Sequence, residues 1–354
     1  MGSTDLVVTN FNRNFTGVSA TAAAVVRHQK SMYQMALAGH PLPGCPLPVS
    51  RREALALARQ GPGVRPFQIW HVRRDPEMQW ALFARDMLRL PIRIVFTSAA
   101  QRRHSAWPRW LISRMDAVIA TTEDAARYVP NTTAVVPHGV DVDTFCPADD
   151  RAAAWARLGL GGARAIACIG RIRPEKGTDL FIDTALRVLP QFPELTALVV
   201  GRAKAEHRGF LADLKDRVRK AGMEERIRFI GEVPAKEMPA LVRTLSLLVA
   251  LPRYEGYGMT PLEAMASGVP VIASDTGHFR EFLGDGAGII VPSEDSLAAA
   301  EPVSRVLRNS DLHHAMARTA IHRARTQFGI AREVAGIAAV YERLWSGDAS
   351  SDSS

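Results

Sequence analysis

Two glutamates eight positions apart bracket a glycine-rich turn in Glu255-Gly-Tyr-Gly-Met-Thr-Pro-Leu-Glu263, and paired carboxylates around such a turn suit a nucleotide-sugar site. Ser246-Leu-Leu-Val-Ala-Leu-Pro252 before it and Gly268-Val-Pro-Val-Ile-Ala-Ser274 after it read as buried parallel strands. Glu255 is therefore expected in the loop beyond a strand's carboxyl end, the edge where open α/β sheets bind ligands. Local rules explain part of the stretch without a ligand: Thr260 as N-cap, Pro261 as first helical residue, Glu263 as capping-box partner and Gly268 as the C-terminal stop. They leave Glu255, Gly256 and Gly258 unexplained.

A second constellation is Ile169-Gly-Arg171-Ile-Arg-Pro174-Glu-Lys176-Gly177-Thr178, followed by an amphipathic helix over 179–189. Arg171 and Lys176 bracket a tight turn at the same sheet edge. Two fixed cations there can neutralise a diphosphate, as a divalent metal does elsewhere, and a helix amino terminus adds oriented N–H dipoles. Arginine grips phosphate with a planar fork and lysine acts as a point charge, so the two are complementary. Either residue alone reads equally as a surface charge on a βα loop; combined with Glu255 and Glu263 they read as a site. No metal is expected. The three cysteines, Cys45, Cys146 and Cys168, have neither pairing number nor metal spacing and read as idle thiols in a reducing cytoplasm.

These residues need parallel sheets to position them, and the chain supplies alternating strand and helix signals. Strands are expected near 6–9, 35–38, 67–72, 92–97, 117–121 and 134–137, with helices over 19–30, 51–60, 76–88 and 109–115. A second set of strands falls near 165–169, 195–200, 227–231, 247–251, 269–274 and 288–291. Each set amounts to one doubly wound unit, and 354 residues exceed the size at which one core stops growing. The expected division is an N-terminal domain over 1–146, a second domain over 147–330, a C-terminal helix over 331–346 and a disordered tail over 347–354. Residues 137–147 have the turn content of a linker. Mean hydropathy is −0.04 with 47% hydrophobic residues, and no apolar run approaches the ~20 residues of a membrane span. The start of the chain lacks the pattern of a secretory signal.

Charge is unevenly divided. Residues 1–146 carry 17 Lys and Arg against 10 Asp and Glu, whereas the remainder carries 27 against 26. The surplus favours an anionic partner or an anionic membrane surface on the first domain; a basic proteome in which the balance means little is the competing reading.

The pairing of Gly170-Arg171-Ile-Arg-Pro-Glu-Lys176-Gly177 with Glu255-x7-Glu263-Ala-Met-Ala-x-Gly-Val-Pro-Val-Ile-Ala resembles the retaining family-4 glycosyltransferases. The likeness is strong over 165–292 and looser before it. The first half, with Trp70-His-Val-Arg-Arg-Asp75, Thr97-Ser-Ala-Ala-Gln-Arg-Arg-His-Ser105 and Val136-Pro-His-Gly-Val-Asp141, further looks like the lipopolysaccharide core mannosyltransferases of alphaproteobacteria. The resemblance implies the GT-B fold, two doubly wound Rossmann-like domains facing across a cleft. It implies that Arg171 and Lys176 bind the donor's diphosphate and that Glu263 accepts hydrogen bonds from the ribose. Glu255 would face the transferred sugar. The backbone of Gly258, Met259 and Thr260 would lie near sugar and phosphate, and residues 230–233, with Gly231 and Val233, along the base.

In the first half, relatives place a glycine-containing loop against the diphosphate, and here Thr16 and Gly17 are the candidates, beside the reading of an ordinary turn capped by Ser19. Many relatives have a histidine after the strand at 92–96; this chain has Thr97-Ser98, so His71 and His104 are the substitutes. Arg73, Arg74, Arg102 and Arg103 flank them and would hold anionic groups of the acceptor. The implied reaction is transfer of a hexose, mannose from GDP-mannose, to an anionic lipid-linked lipopolysaccharide inner-core acceptor, by a metal-independent enzyme peripheral to the cytoplasmic face of the inner membrane. A nucleotide-sugar epimerase on the same fold is the rival reading, and it lacks an evident acid/base set for a carbon-bound proton. A nucleic-acid-binding protein lacks any recognition-helix, zinc or stacking motif.

Overall fold

A computed structural model of the chain describes residues 3–99 and 103–347. It divides into two compact units, Met1–Gly139 with Ile330–Ser354, and Val140–Gly329.

Unit 1 carries a parallel sheet of six strands, β1 (Leu6–Asn10), β2 (Met35–Gly39), β3 (Gln68–Val72), β4 (Ile92–Ser98), β5 (Ala117–Ala120) and β6 (Thr132–Val135), in the order β2-β1-β3-β4-β5-β6. Its helices are α1 (Gly17–Gln29), α2 (Arg51–Gln60), α3 (Asp75–Leu82), α4 (Ala106–Ser113) and α5 (Glu123–Arg127). Successive strand residues serve opposite faces. Val7, Trp70 and Val72 pack with α2 and α3 on one side, while Leu6, Val8 and Ile69 pack with α1 and the C-terminal helix Ile330–Ser346 on the other. That last helix buries Ile330, Val334, Ile337, Tyr341 and Trp345 along one stripe, and the Trp345 indole donates to the Phe67 carbonyl at 2.9 Å. The expected helix over 76–88 is α3 followed by a π-helical turn, Phe83–Met87, and the helix expected over 109–115 begins three residues earlier.

Unit 2 has strands β7 (Arg164–Ile169), β8 (Leu195–Val200), β9 (Ile227–Gly231), β10 (Leu247–Ala250), β11 (Val271–Ser274) and β12 (Gly288–Val291), all parallel, in the order β12-β11-β10-β7-β8-β9. Helices α6 (Arg151–Leu158), α7 (Thr178–Val188), α8 (Arg208–Lys220), α9 (Met238–Val242), α10 (Met259–Ala266), α11 (Phe279–Leu283), α12 (Ser296–Arg308) and α13 (Ser310–Thr326) complete it. The strand order reverses between β7 and β10, the switch point at which such sheets bind ligands. The two units meet in sequence at Gly139/Val140, seven residues before the expected boundary. The reason is local: the Val140 N–H donates to the Phe328 carbonyl at 2.8 Å, and Val142 and Phe145 pack into the second unit's core. Of the expected tail, residues 348–354 lie outside the described residues.

Candidate active site

The β7–α7 and β10–α10 loops emerge side by side at the switch point of unit 2. Gly177, at φ +64°, lets them touch: a Cβ there would lie 1.8 Å from the Leu251 carbonyl oxygen, so only glycine fits. Arg253 then locks the loops together. Its guanidinium makes a bidentate ion pair with Asp179 at 2.9 and 2.7 Å and reaches the Pro174 carbonyl at 2.5 Å, while its backbone N–H donates to the Glu175 carbonyl at 2.9 Å. The consequence is a partly buried ion pair between the Lys176 ammonium and the Glu255 carboxylate. The other Glu255 oxygen accepts the Gly256 N–H at 3.1 Å. Arg171 stands exposed in the same loop and holds no protein partner among the described residues.

Two glycines define where Glu255 can lie. Gly258 has φ +87°, and a Cβ on it would come 2.3 Å from the Phe279 ring and 3.0 Å from Glu255 Cγ. Gly277, in the loop after β11, has φ +59° and would press a Cβ to 3.1 Å from Glu255 Cβ. Gly258, not Thr260, is the N-cap of α10, and no side chain caps it. The expected capping box is absent because the positive φ of Gly258 starts the helix at Met259, which moves Glu263 beyond the third position. The first N–H groups of α10, those of Met259 and Thr260 among them, have no intrahelical acceptor and no capping side chain. Glu263 is half-buried as a residue, but its carboxyl is desolvated, and burial pushes it up to about 7. Gly231 ends β9 at φ +77°, with Val233 half-buried beyond it.

In unit 1 the order reverses at β1, between β2 and β3. Glu77, fully buried in the first turn of α3, gathers this edge: it accepts from Thr9 Oγ1 at 3.0 Å, the Phe11 N–H at 3.1 Å, the Arg73 N–H at 2.8 Å and Arg74 Nη1 at 2.9 Å. Arg74 also donates to Asn10 Oδ1, Thr16 Oγ1 and Ser19 Oγ at 3.1, 3.3 and 2.9 Å. Its guanidinium is thus committed to the protein, holding the β1–α1 loop rather than standing free for an acceptor. Thr16, not Ser19, caps α1, and Gly17 has open space where a Cβ would be.

Arg73 differs. It is buried, its Nε and Nη1 have no hydrogen-bond partner, and burial lowers its pKa against the pull of Tyr341, Glu333 and Glu77. His71 is fully buried with both ring nitrogens occupied, Nδ1 by Tyr341 Oη at 2.5 Å and Nε2 by Thr97 Oγ1 at 2.7 Å. Burial, Arg73 and His138 hold it neutral. As placed, no edge of the ring is open to a sugar, and the imidazole is a strut between β3, β4 and the C-terminal helix. His138 and Glu333 pair at 2.7 Å. Arg103 is exposed and His104 half-buried ahead of α4; Arg102 lies outside the described residues.

Residues 156–323 match the family model of glycosyl transferases group 1. Over 96% of this chain, and 97% of the relative, the sequence is 42% identical to the lipopolysaccharide core biosynthesis mannosyltransferase LpsB of Rhizobium meliloti. The chain belongs to the group 1 glycosyltransferases. A second relative, the lipopolysaccharide core biosynthesis mannosyltransferase LpcC of Rhizobium leguminosarum bv. viciae, is 39% identical, covering 96% of each chain. The crystal structure of Anabaena HepE in complex with UDP and glucose aligns with a TM-score of 0.82 over 96% of this chain and 100% of that one, at 16% identity. The fold of the transferase is GT-B.

Of the residues expected to serve this transferase, the structure brings Arg171, Lys176, Glu255, Gly258, Met259 and Thr260 to one switch point in unit 2, and Gly17, Arg73 and Arg74 to the reversal in unit 1. Glu77, Asp179, Arg253 and Gly277 join these two clusters without being marked by motif or spacing in the sequence. Asp179 and Arg253 carried no signal because their pairing spans 74 residues. Nothing in the sequence sets Glu77 apart from Asp75 as a first-turn acid of α3. Among the described residues no three His, Cys, Asp or Glu side chains gather as a metal would need.

Proposed function

We propose that this glycosyltransferase moves mannose from GDP-mannose to a hydroxyl of an anionic, lipid-linked saccharide of the lipopolysaccharide inner core, with retention of anomeric configuration. The observation that carries the reading is the meeting of Arg171, Lys176 and Glu255 at the unit 2 switch point; the names of the two rhizobial relatives point to mannose and to the lipopolysaccharide core. An arriving diphosphate takes Lys176 from Glu255, because two negative phosphates outcompete one carboxylate for the ammonium. Glu255 is then free to accept the sugar's hydroxyls and to support positive charge at the anomeric carbon. Arg171 and Lys176 stabilise the leaving diphosphate, assisted by the N–H groups of Gly258, Met259 and Thr260. Glu263 receives the ribose, and Gly231 and Val233 line the base. The acceptor oxygen attacks from the face that the phosphate leaves, and the departing phosphate oxygen takes its proton. On unit 1, Arg73 offers its unpaired N–H groups to the acceptor's carboxylate or phosphate, which removes the cost of their burial. Arg103 and His104 extend that side, and the enzyme works at the cytoplasmic face of the inner membrane.

Thermal melts with GDP, UDP and ADP, followed by product analysis with GDP-mannose and a deacylated inner-core acceptor, test this. GDP alone should raise the Tm, and the new bond should keep the donor's anomeric configuration. Protection by UDP or ADP alone would end the mannose assignment and leave the transferase standing; an epimerised donor formed without acceptor would favour the epimerase.

A further inference from the structure

Trp107 and Trp110 stand one helical turn apart on α4, 54% and 51% exposed, stacked on each other with ring centroids 5.1 Å apart. Leu111 and Ile112 of the same helix turn into the core, so α4 is seated on unit 1 by its other side. Arg114 continues the tryptophan stripe one turn on and reaches Asp86 at 3.3 Å, next to exposed Phe83 and Met87. Residues 83–116 contain seven arginines and two aspartates. Asp116 is already held by Arg85 and Arg93 at 2.6 and 2.8 Å, and Asp86 by Arg85 and Arg114. Arg89, Arg103 and Arg109 are exposed and enter none of these pairs. Most of the positive surplus of residues 1–146 therefore falls in the stretch of sequence that carries one exposed aromatic pair.

We propose that α4 seats unit 1 on an anionic lipid surface, with the indoles of Trp107 and Trp110 at headgroup depth and Arg109 and Arg114 on lipid phosphates. Indole suits that depth because it joins a broad apolar ring to one N–H donor. Neither signal suffices alone: a short aromatic stripe binds weakly, and an added basic patch makes the attachment stable. A second copy of this chain is a poor occupant, since it would set two cationic patches against each other. The proposal rests on the reading that the acceptor is lipid-linked, but it is tested separately from catalysis.

The experiment is co-sedimentation of the full chain with vesicles of phosphatidylcholine alone or mixed with phosphatidylglycerol. The chain should pellet with the mixed vesicles and stay soluble with the neutral ones. W107A/W110A should weaken vesicle binding at least tenfold, and each of R109Q and R114Q roughly fivefold, with thermal melts matching the parent. W107A/W110A should keep its transfer rate on a detergent-dispersed acceptor and lose it on vesicle-borne acceptor. Equal pelleting of W107A/W110A and parent would overturn the proposal. So would a dimer, or oligonucleotide binding, that the double substitution abolishes while vesicle binding is unchanged. A parent chain inactive with every donor would sink the functional reading, and the vesicle assay would still judge this surface.

Discussion

Lys176 and Glu255 neutralise each other in the unliganded protein, so changing one alters what the other can do. Glu255→Ala leaves the ammonium free; affinity for the nucleoside diphosphate, measured by calorimetry, should not fall, while turnover should drop about 10²–10³-fold, the scale of one lost preorganised electrostatic contact. Glu263 makes a pH-dependent contribution of the opposite sense to an ordinary carboxylate. Its proton leaves the unfolded chain near pH ~4.3 but leaves the folded protein at about 7. Between those values the native state holds the extra proton, and stability from this group falls as pH rises. The Tm difference between Glu263→Gln and the parent should therefore grow in favour of the variant from pH ~4.5 to ~7 and level off above; a flat difference would count against a buried neutral carboxyl. Gly177→Ala tests the contact that joins the two loops. Positive φ and the collision with the Leu251 carbonyl should together cost about 3 kcal/mol or more, visible as a Tm lowered by roughly 6 °C or more.

At the scale of elements, the alternation of strand and helix was legible because parallel strands buried on both faces are short apolar runs separated by turns. Arg171, Lys176 and Glu255 stood out as candidates because each lies in the loop that follows such a run. What joins them did not. The Gly177–Leu251 approach, the Arg253–Asp179 clamp and the restriction of Glu255 by Gly277 are contacts between loops distant in sequence, and periodicity carries no information on them. Thr260 and Glu263 show the converse failure: their spacing fits a capping box, yet Gly258 begins the helix sooner. His71 shows it in another form. A histidine at a strand's end looks available, but a helix 270 residues later supplies Tyr341 to fill its Nδ1. Tyr341→Phe should leave that nitrogen buried and unpaired, costing about 1–3 kcal/mol, read as a lower urea midpoint with an unchanged m-value.

At the scale of the molecule, unit 2 enters and leaves unit 1 through neighbouring strands of chain, since Val140 bridges Gly329 in parallel and bonds to Phe328. Residues 140–329 are in effect an insertion whose two ends are pinned together. A fragment of those residues should fold with a cooperative melt of its own and bind the nucleotide, whereas residues 1–139 alone should not fold, because the stripe of Ile330, Val334, Ile337, Tyr341 and Trp345 that covers one sheet face is missing. During synthesis the ribosome emits unit 2 complete while its predecessor still waits for a final helix. The half of the enzyme with the basic, aromatic surface is thus the last to mature, and a translation product truncated before Ile330 would carry a complete second unit beside a first sheet left bare on one face.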